Sequence, residues 1–405
     1  MPMKLSISKC EYELVELIRE LGEVTKADLV SNTDYSLSKI NGCIEGLIKK
    51  QYIQENGLGE YTGGRRSRVF SINGSFGLVA GIDIGATSID LVVTNFSGKT
   101  LARHSLAASV REGPRPILSL VSEKLEWLIA EYGLPAEQLY GIGIGVPGPV
   151  DFDEGTVDSP PIMPGWDGFP IVQTIQVRFP AARAVVDNDV NVMALGEVSA
   201  GIAKGIKNLI FVKIGTGIGS GIVCNGHIYR GSNGCAGDIG HICVKKDGPI
   251  CPCGNRGCLE AMAAGPAIGE RGVHAAQEGN SPILLKYFQA NEGRLSAEDV
   301  GNAAREGDPA AIEIIRDSGQ MIGDVLASLV NFFNPSMIVI GGGVAGIGNL
   351  LLSSIRQAVL NRSLPLSTRD LQIVFSEKGP DAGVIGAVNL ALDKLFEVEL
   401  SNGLR

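Results

Sequence analysis

The chain has 405 residues, 44% of them hydrophobic and 20% charged, and a formal net charge of −9. That length predicts two or three packed domains, and the acidic balance excludes a protein that coats nucleic acid or membrane by bulk charge. No apolar run of about 18 residues and no charged-then-apolar leader occurs, so a soluble, cytoplasmic protein with no membrane partner is expected.

Residues 1–75 read as a small unit. Apolar Leu14, Val15, Leu17, Ile18 and Leu21 lie on one helical stripe over Glu11 to Leu21, which Gly22 ends. Thr25 is an N-cap for a short helix through Leu29 and Val30. A third helix is predicted from Ser36 to Lys50, with Leu37, Ile40, Ile44, Leu47 and Ile48 inward. Two strands follow, Tyr52 to Gln54 and Arg68 to Ile72, joined by a loop that contains Gly63-Gly64-Arg65-Arg66. Three short helices and a hairpin are the parts of a winged helix-turn-helix.

From Leu78 the pattern becomes strands alternating with helices, which predicts α/β layers. Strand runs fall at Val79–Asp83, Ile89–Val93, Gly141–Val146, Ala184–Val186, Leu209–Ile214, Met337–Ile340 and Leu371–Val374. Two lobes are expected, 76–200 and 201–395, with the last helix free to return to the first, and Asn73 to Gly77 is read as a short hinge before them.

Three strands run into glycine turns: Asp83-Ile84-Gly85-Ala86-Thr87, Gly215-Thr216-Gly217-Ile218-Gly219 and Ile340-Gly341-Gly342-Gly343. Glycine lets backbone N–H groups approach phosphate oxygens, a threonine hydroxyl adds a donor, and Asp83 has the chemistry to hold hydrated Mg²⁺. Asn188 and Asp189 follow another apolar strand, in a stretch too polar to bury bare. Finally, His241, Cys251, Cys253 and Cys258 supply an imidazole and three thiolates, a closed tetrahedral set that suits structural zinc rather than a catalytic metal. The remaining Cys10, Cys43, Cys224, Cys235 and Cys243 read as small apolar core residues.

The phosphate, phosphate and adenosine turns resemble the nucleotide site of the actin-like sugar kinases. The spacing of His241, Cys251, Cys253 and Cys258 resembles the signature of the ROK family (repressor, open reading frame, kinase). The resemblance implies an α/β fold in which a winged helix-turn-helix precedes a two-lobed sugar-kinase body. It implies sugar contacts from Asn188, Asp189, Asp238, His241 and Glu260, with Asp189 as general base if the chain is a kinase. Nucleotide contacts would come from Asp83, Gly85, Thr87, Gly215, Thr216, Gly217, Gly219, Gly341, Gly342 and Gly343, and ATP with Mg²⁺ would be the kinase cofactors. Where the family commonly has Glu, this chain has Asp238, whose carboxylate is drawn back by about 1.5 Å; that leaves the identity of the sugar open.

The unit before Leu78 resembles the winged helix of NagC/XylR-type ROK regulators, and Thr62 to Arg66 matches their wing, with Ser67 in place of the usual Pro. Residues 36–68 carry six basic side chains against three acidic ones. Ser36, Ser38, Lys39 and Asn41 would meet the major groove, and Arg65 and Arg66 a minor groove. The expected protein is a sugar-responsive repressor of carbohydrate-utilisation genes that binds operator DNA as a homodimer or homotetramer. The alternative is an ATP-dependent sugar kinase.

Overall fold

The computed structural model describes residues 4–58 and 67–398. Helices Lys9–Leu21, Lys26–Ser31 and Leu37–Lys49 each start at a hydroxyl cap, with Ser8, Thr25 and Ser36 accepting from the N–H three residues on. Among the described residues, strands Val24–Thr25, Arg68–Ile72 and Ile53–Leu58 form an antiparallel sheet in that order. Leu14, Val15, Ile18, Leu29, Ile40, Ile44, Leu47 and Phe70 fill the core.

Several expectations need correcting here. Leu21, Leu37 and Ile48 are exposed, because the helices turn these positions away from the core. Cys10 and Cys43 are buried, but joined in a disulfide between the first and third helices, with Cα atoms 6.5 Å apart. Cys235 and Cys243 are exposed and Cys224 half-buried, since all three lie on turns or strand ends of the second lobe rather than in its interior.

The body has two lobes. The first sheet runs Arg183–Asn188, Leu139–Val146, Leu78–Ile84, Ser88–Asn95, Thr100–Ala107; the second runs His227–Ile228, Ile218–Cys224, Leu209–Ile214, Met337–Gly341, Gln372–Phe375. Helix Asp189–Ala200 leads from the first lobe to the second. The last helix, Ala382–Leu395, crosses back onto the first sheet. It lies so close that a methyl at Gly143 would sit 1.8 Å from Ala387 O, and one at Gly81 2.4 Å from Val384 O. Against the connecting helix the same holds: a methyl at Gly386 would fall 1.7 Å from Val192 O.

The winged helix docks on this last helix. Strand Leu5–Ile7 pairs in parallel with Phe396–Val398, Arg19 forms an ion pair with Asp393, and Arg19 Nη2 donates to Asn389 Oδ1 at 2.8 Å. The segment read as a hinge is a packed 3₁₀ turn, Gly74–Phe76. Asn73 donates to Gln51 O at 2.8 Å, and the Phe76 ring centre lies 5.0, 4.8 and 5.5 Å from those of Tyr52, Phe96 and Tyr140. Aromatic packing on this scale removes the freedom a hinge needs. Beside it opens a cavity of about 640 Å³, bordered by Arg19, Gln54, Ser75, Thr94, Arg103 and Asn389.

The close helix-on-sheet contact is testable. Gly143→Ala should cost about 2–3 kcal/mol by overpacking, whereas Gly346→Ala, where a methyl meets nothing within 4 Å, should stay within about 0.5 kcal/mol. Urea midpoints of the two variants would show it.

Candidate functional site

The ends of three strands floor the cleft between the lobes. Asp83 to Thr87 turn back into strand Ser88–Asn95, and Gly85 N–H closes the turn on Ser88 O at 2.8 Å. Gly215-Thr216-Gly217 turn into strand Ile218–Cys224, with Gly215 N–H on Gly217 O at 2.9 Å. Gly341 and Gly342 lie against this second strand pair: methyls there would come 2.5 Å from the Phe211 ring and 2.4 Å from Ile214 O. Gly343 faces open space, and Thr87 and Thr216 are exposed. Gly85 and Gly215 have therefore spent their N–H groups on turn closure, and the exposed Thr87 and Thr216 offer hydroxyl donors beside them. At Gly219 the start of the connecting helix approaches, with Val190 Cγ2 3.1 Å from a methyl placed there.

Asn188 caps helix Asp189–Ala200. Its Oδ1 accepts from Val190 N and Asn191 N at 2.9 and 3.3 Å, and its Nδ2 donates to Gly148 O at 2.8 Å. One amide N–H remains for a ligand. Asp189 is buried and forms an ion pair with Lys213. On the other side, Glu260 accepts from Ile218 N at 3.0 Å through Oε2, and a methyl at Gly217 would lie 2.3 Å from that oxygen. Gly240 packs on Ile218 O, which brings the Asp238 to His241 turn to the same strand. Solvent reaches Asp238, yet the cleft wall desolvates its carboxyl enough to raise its pKa, with His241 opposing. Asp238, His241 and Glu260 are thus gathered on strand Ile218–Cys224, and helix Asp189–Ala200 meets that strand through Val190.

Beneath this turn lie His241, Cys251, Cys253 and Cys258, their ligand atoms all within 4.8 Å of one another. Cys251 Sγ is 3.7 Å from His241 Nδ1, and Cys253 Sγ is 3.8 Å from Cys258 Sγ. A tetrahedral ion with bonds of about 2.0–2.3 Å needs ligand separations of about 3.5–3.8 Å. The donor set fits one ion. Gly257 makes the knuckle possible: its φ is 65°, and a methyl there would fall 1.6 Å from Lys245 O.

In the winged helix, Ser36, Leu37, Ser38 and Lys39 are exposed at the start of the third helix, and Asn41 is half-buried. Arg65 and Arg66 lie outside the described residues.

Sequence reasoning passed over two cations. Lys213 is a lone charge in an apolar strand directly before a glycine turn, and that isolation is a readable signal. Arg230 carries none. It reaches from the second lobe to Asp187 of the first, with Nε and Nη2 2.9 and 2.7 Å from Oδ2, and stacks 3.9 Å from the centre of Phe152. Lys394 of the last helix lies 5.0 Å from the same ring centre.

Residues 79–394 match the ROK family. The chain belongs to the ROK family. Among its ROK relatives, the xylose repressor of Bacillus subtilis is 28% identical over 95% of both chains. The glucokinase of Halalkalibacterium halodurans is 34% identical, covering 80% of this chain and 97% of its own. A solved ROK family transcriptional regulator, a homolog of the E. coli MLC protein, superposes with a TM-score of 0.80 at 26% identity, over 95% of this chain and 96% of that one.

One site group has a readable pH signature. Burial pushes the Asp83 carboxyl up to about 7, with Lys213 opposing and Asp189 and Asp90 adding to the rise. A carboxyl that holds its proton more tightly when folded loses stability as pH rises, here between about 4 and about 7. Asp83→Asn should therefore gain on the wild type across that window and hold a level advantage of at least about 1 kcal/mol above it. Urea unfolding of both proteins at pH 5, 6, 7 and 8 would measure the trend.

Proposed function

We propose that the chain is a sugar-responsive transcriptional repressor that binds operator DNA through its winged helix and a sugar in the cleft. The observation that carries this reading is the extent of the likeness. The regulator structure matches winged helix and body together, whereas the glucokinase matches about the portion that the body alone occupies. Ser36, Ser38, Lys39 and Asn41 of the third helix would read the major groove, and Arg65 and Arg66 an adjacent minor groove. Asn188, Asp189, Asp238, His241 and Glu260 would hold the sugar, and xylose, named by the repressor relative, is the first to test. Zinc is the metal that suits His241, Cys251, Cys253 and Cys258, and ligation through Nδ1 leaves the other ring nitrogen for the sugar.

Sugar contacts from both lobes would bias their relative angle, by as much as the ligand's affinity differs between the two arrangements. The Arg230 contacts and the last helix give that motion a route to the winged helix. In a homodimer, a small rotation would spoil simultaneous engagement of two half-sites.

Two measurements test the reading. Duplexes that the protein selects from a random pool should be released by an aldose. Arg65→Ala/Arg66→Ala should weaken their binding, leave sugar affinity unchanged and flatten the log–log salt slope by up to about 0.9 for each phosphate the variant no longer neutralises. ATP-dependent phosphorylation by the wild type, with no sugar effect on DNA, would favour the kinase. For the metal, freshly purified protein should carry one zinc per chain, and Cys253→Ser should lower both zinc content and sugar affinity; zinc-free protein would refute the assignment.

A further inference from the structure

The cleft floor holds a charge that neither a repressor nor a kinase reading requires. Lys213 emerges from strand Leu209–Ile214 between buried Val212 and Ile214, and its ammonium meets the buried carboxylate of Asp189. Asp83 stands close by on the first lobe. Its Oδ1 is sealed from solvent with no hydrogen-bond partner among the described groups, and a methyl at Gly383 would lie 1.9 Å from its Oδ2. Gly145 separates the two acids: a methyl there would be 3.3 Å from Asp83 Oδ1 and 3.5 Å from Asp189 Cα. Both carboxylates act on Lys213, and Asp189 also on Asp83, so the three charges share one small volume.

In a phosphoryl-transfer cleft this is where a hydrated divalent ion would sit, beside Asp83, with Asp189 free to accept the sugar hydroxyl proton. The metal condition is not met, and Lys213 engages Asp189 Oδ2, which leaves Oδ1 as the oxygen that can accept from a hydroxyl. The counter-charge to the acids is already supplied by an ammonium on the chain, and a divalent ion brought beside it would be repelled. Mg²⁺ does not fit these residues as they stand.

We propose that Lys213 is a built-in cation that replaces the divalent ion between Asp83 and Asp189, so that the cleft binds a sugar without metal or nucleotide and does not phosphorylate it. The inference rests on the cleft being the effector site. Asp189 and Lys213 then act as an acceptor–donor pair for one sugar hydroxyl, since the ammonium has three N–H groups and uses only part of them on Asp189.

The test uses the full-length protein with its metal centre intact, and Mn²⁺ as the probe, read by loss of the free-ion paramagnetic resonance signal. The wild type and Lys213→Arg should leave Mn²⁺ free. Lys213→Met should bind it about tenfold more tightly or better, with affinity rising from pH 7 to pH 8.5 as the Asp83 carboxyl ionises beside Asp189, and Lys213→Met/Asp83→Asn should lose that gain. Wild-type sugar affinity, followed by thermal shift, should be the same with and without Mg²⁺ and ATP. The proposal is overturned if the wild type binds Mn²⁺ as tightly as Lys213→Met does. It is equally overturned if the wild type phosphorylates an aldose, and loss of that turnover in Lys213→Met would make Lys213 a catalytic residue. Should Lys213→Met fail to fold, wild-type Mn²⁺ binding that Asp83→Asn removes would overturn it, and its absence, with Lys213→Arg folded and indifferent to Mn²⁺, would support it. Failure of the effector reading is distinguishable, because it appears as no thermal shift with any sugar whatever the Mn²⁺ result.

Discussion

Helix Ala382–Leu395 is pressed backbone-to-backbone onto its neighbours, and much of the molecule is arranged around that contact. Gly81, Gly143 and Gly386 make it possible, because a single methyl at any of them would overlap a carbonyl oxygen. The same helix brings Gly383 over Asp83 in the cleft and offers Asn389 and Asp393 to Arg19 of the winged helix. One rigid rod therefore touches both the cleft and the winged helix. Close-packed interfaces of this kind shift between discrete arrangements rather than bending smoothly, which is what a switch requires.

The junction is solid on one side and open on the other. Phe76, Phe96, Tyr140, Tyr52 and Phe396 interlock below, while Arg19 and Arg103 border the cavity beside them. Across the cleft, the Arg230–Asp187 pair joins the lobes, and Phe152 links Arg230 to Lys394. Breaking one partner of such an enclosed pair is costly because the other charge is stranded. Arg230, Phe152 and Lys394 thus join the two lobes and the last helix through one set of contacts.

Around the cleft, glycine turns of the kind that cradle phosphate stand beside the Lys213–Asp189 ion pair. Glycine turns persist because they are also structural: Gly217 makes room for Glu260, and Gly342 for the Ile214 carbonyl. Asn188 likewise serves the fold as a helix cap before it serves any ligand.

Local chemistry made much of this legible from residues alone. The cap at Thr25, the start of the third helix at Ser36, the buried strands and the His241–Cys258 donor set depend on near neighbours in the chain, and hydrogen-bond capping and thiolate coordination act over a few ångströms of backbone. The exposure of Leu37 and Ile48, the packed turn at Gly74–Phe76 and the Cys10–Cys43 bond were decided only by which elements came to lie together. Lys213 shows the division most plainly. Its isolation in an apolar strand is written in the sequence, but its meeting with Asp189, 24 positions away, and with Asp83 of the other lobe follows from the closure of two sheets around one cleft. Pairing between distant charges is a property of that closure, so tertiary structure alone could assign it.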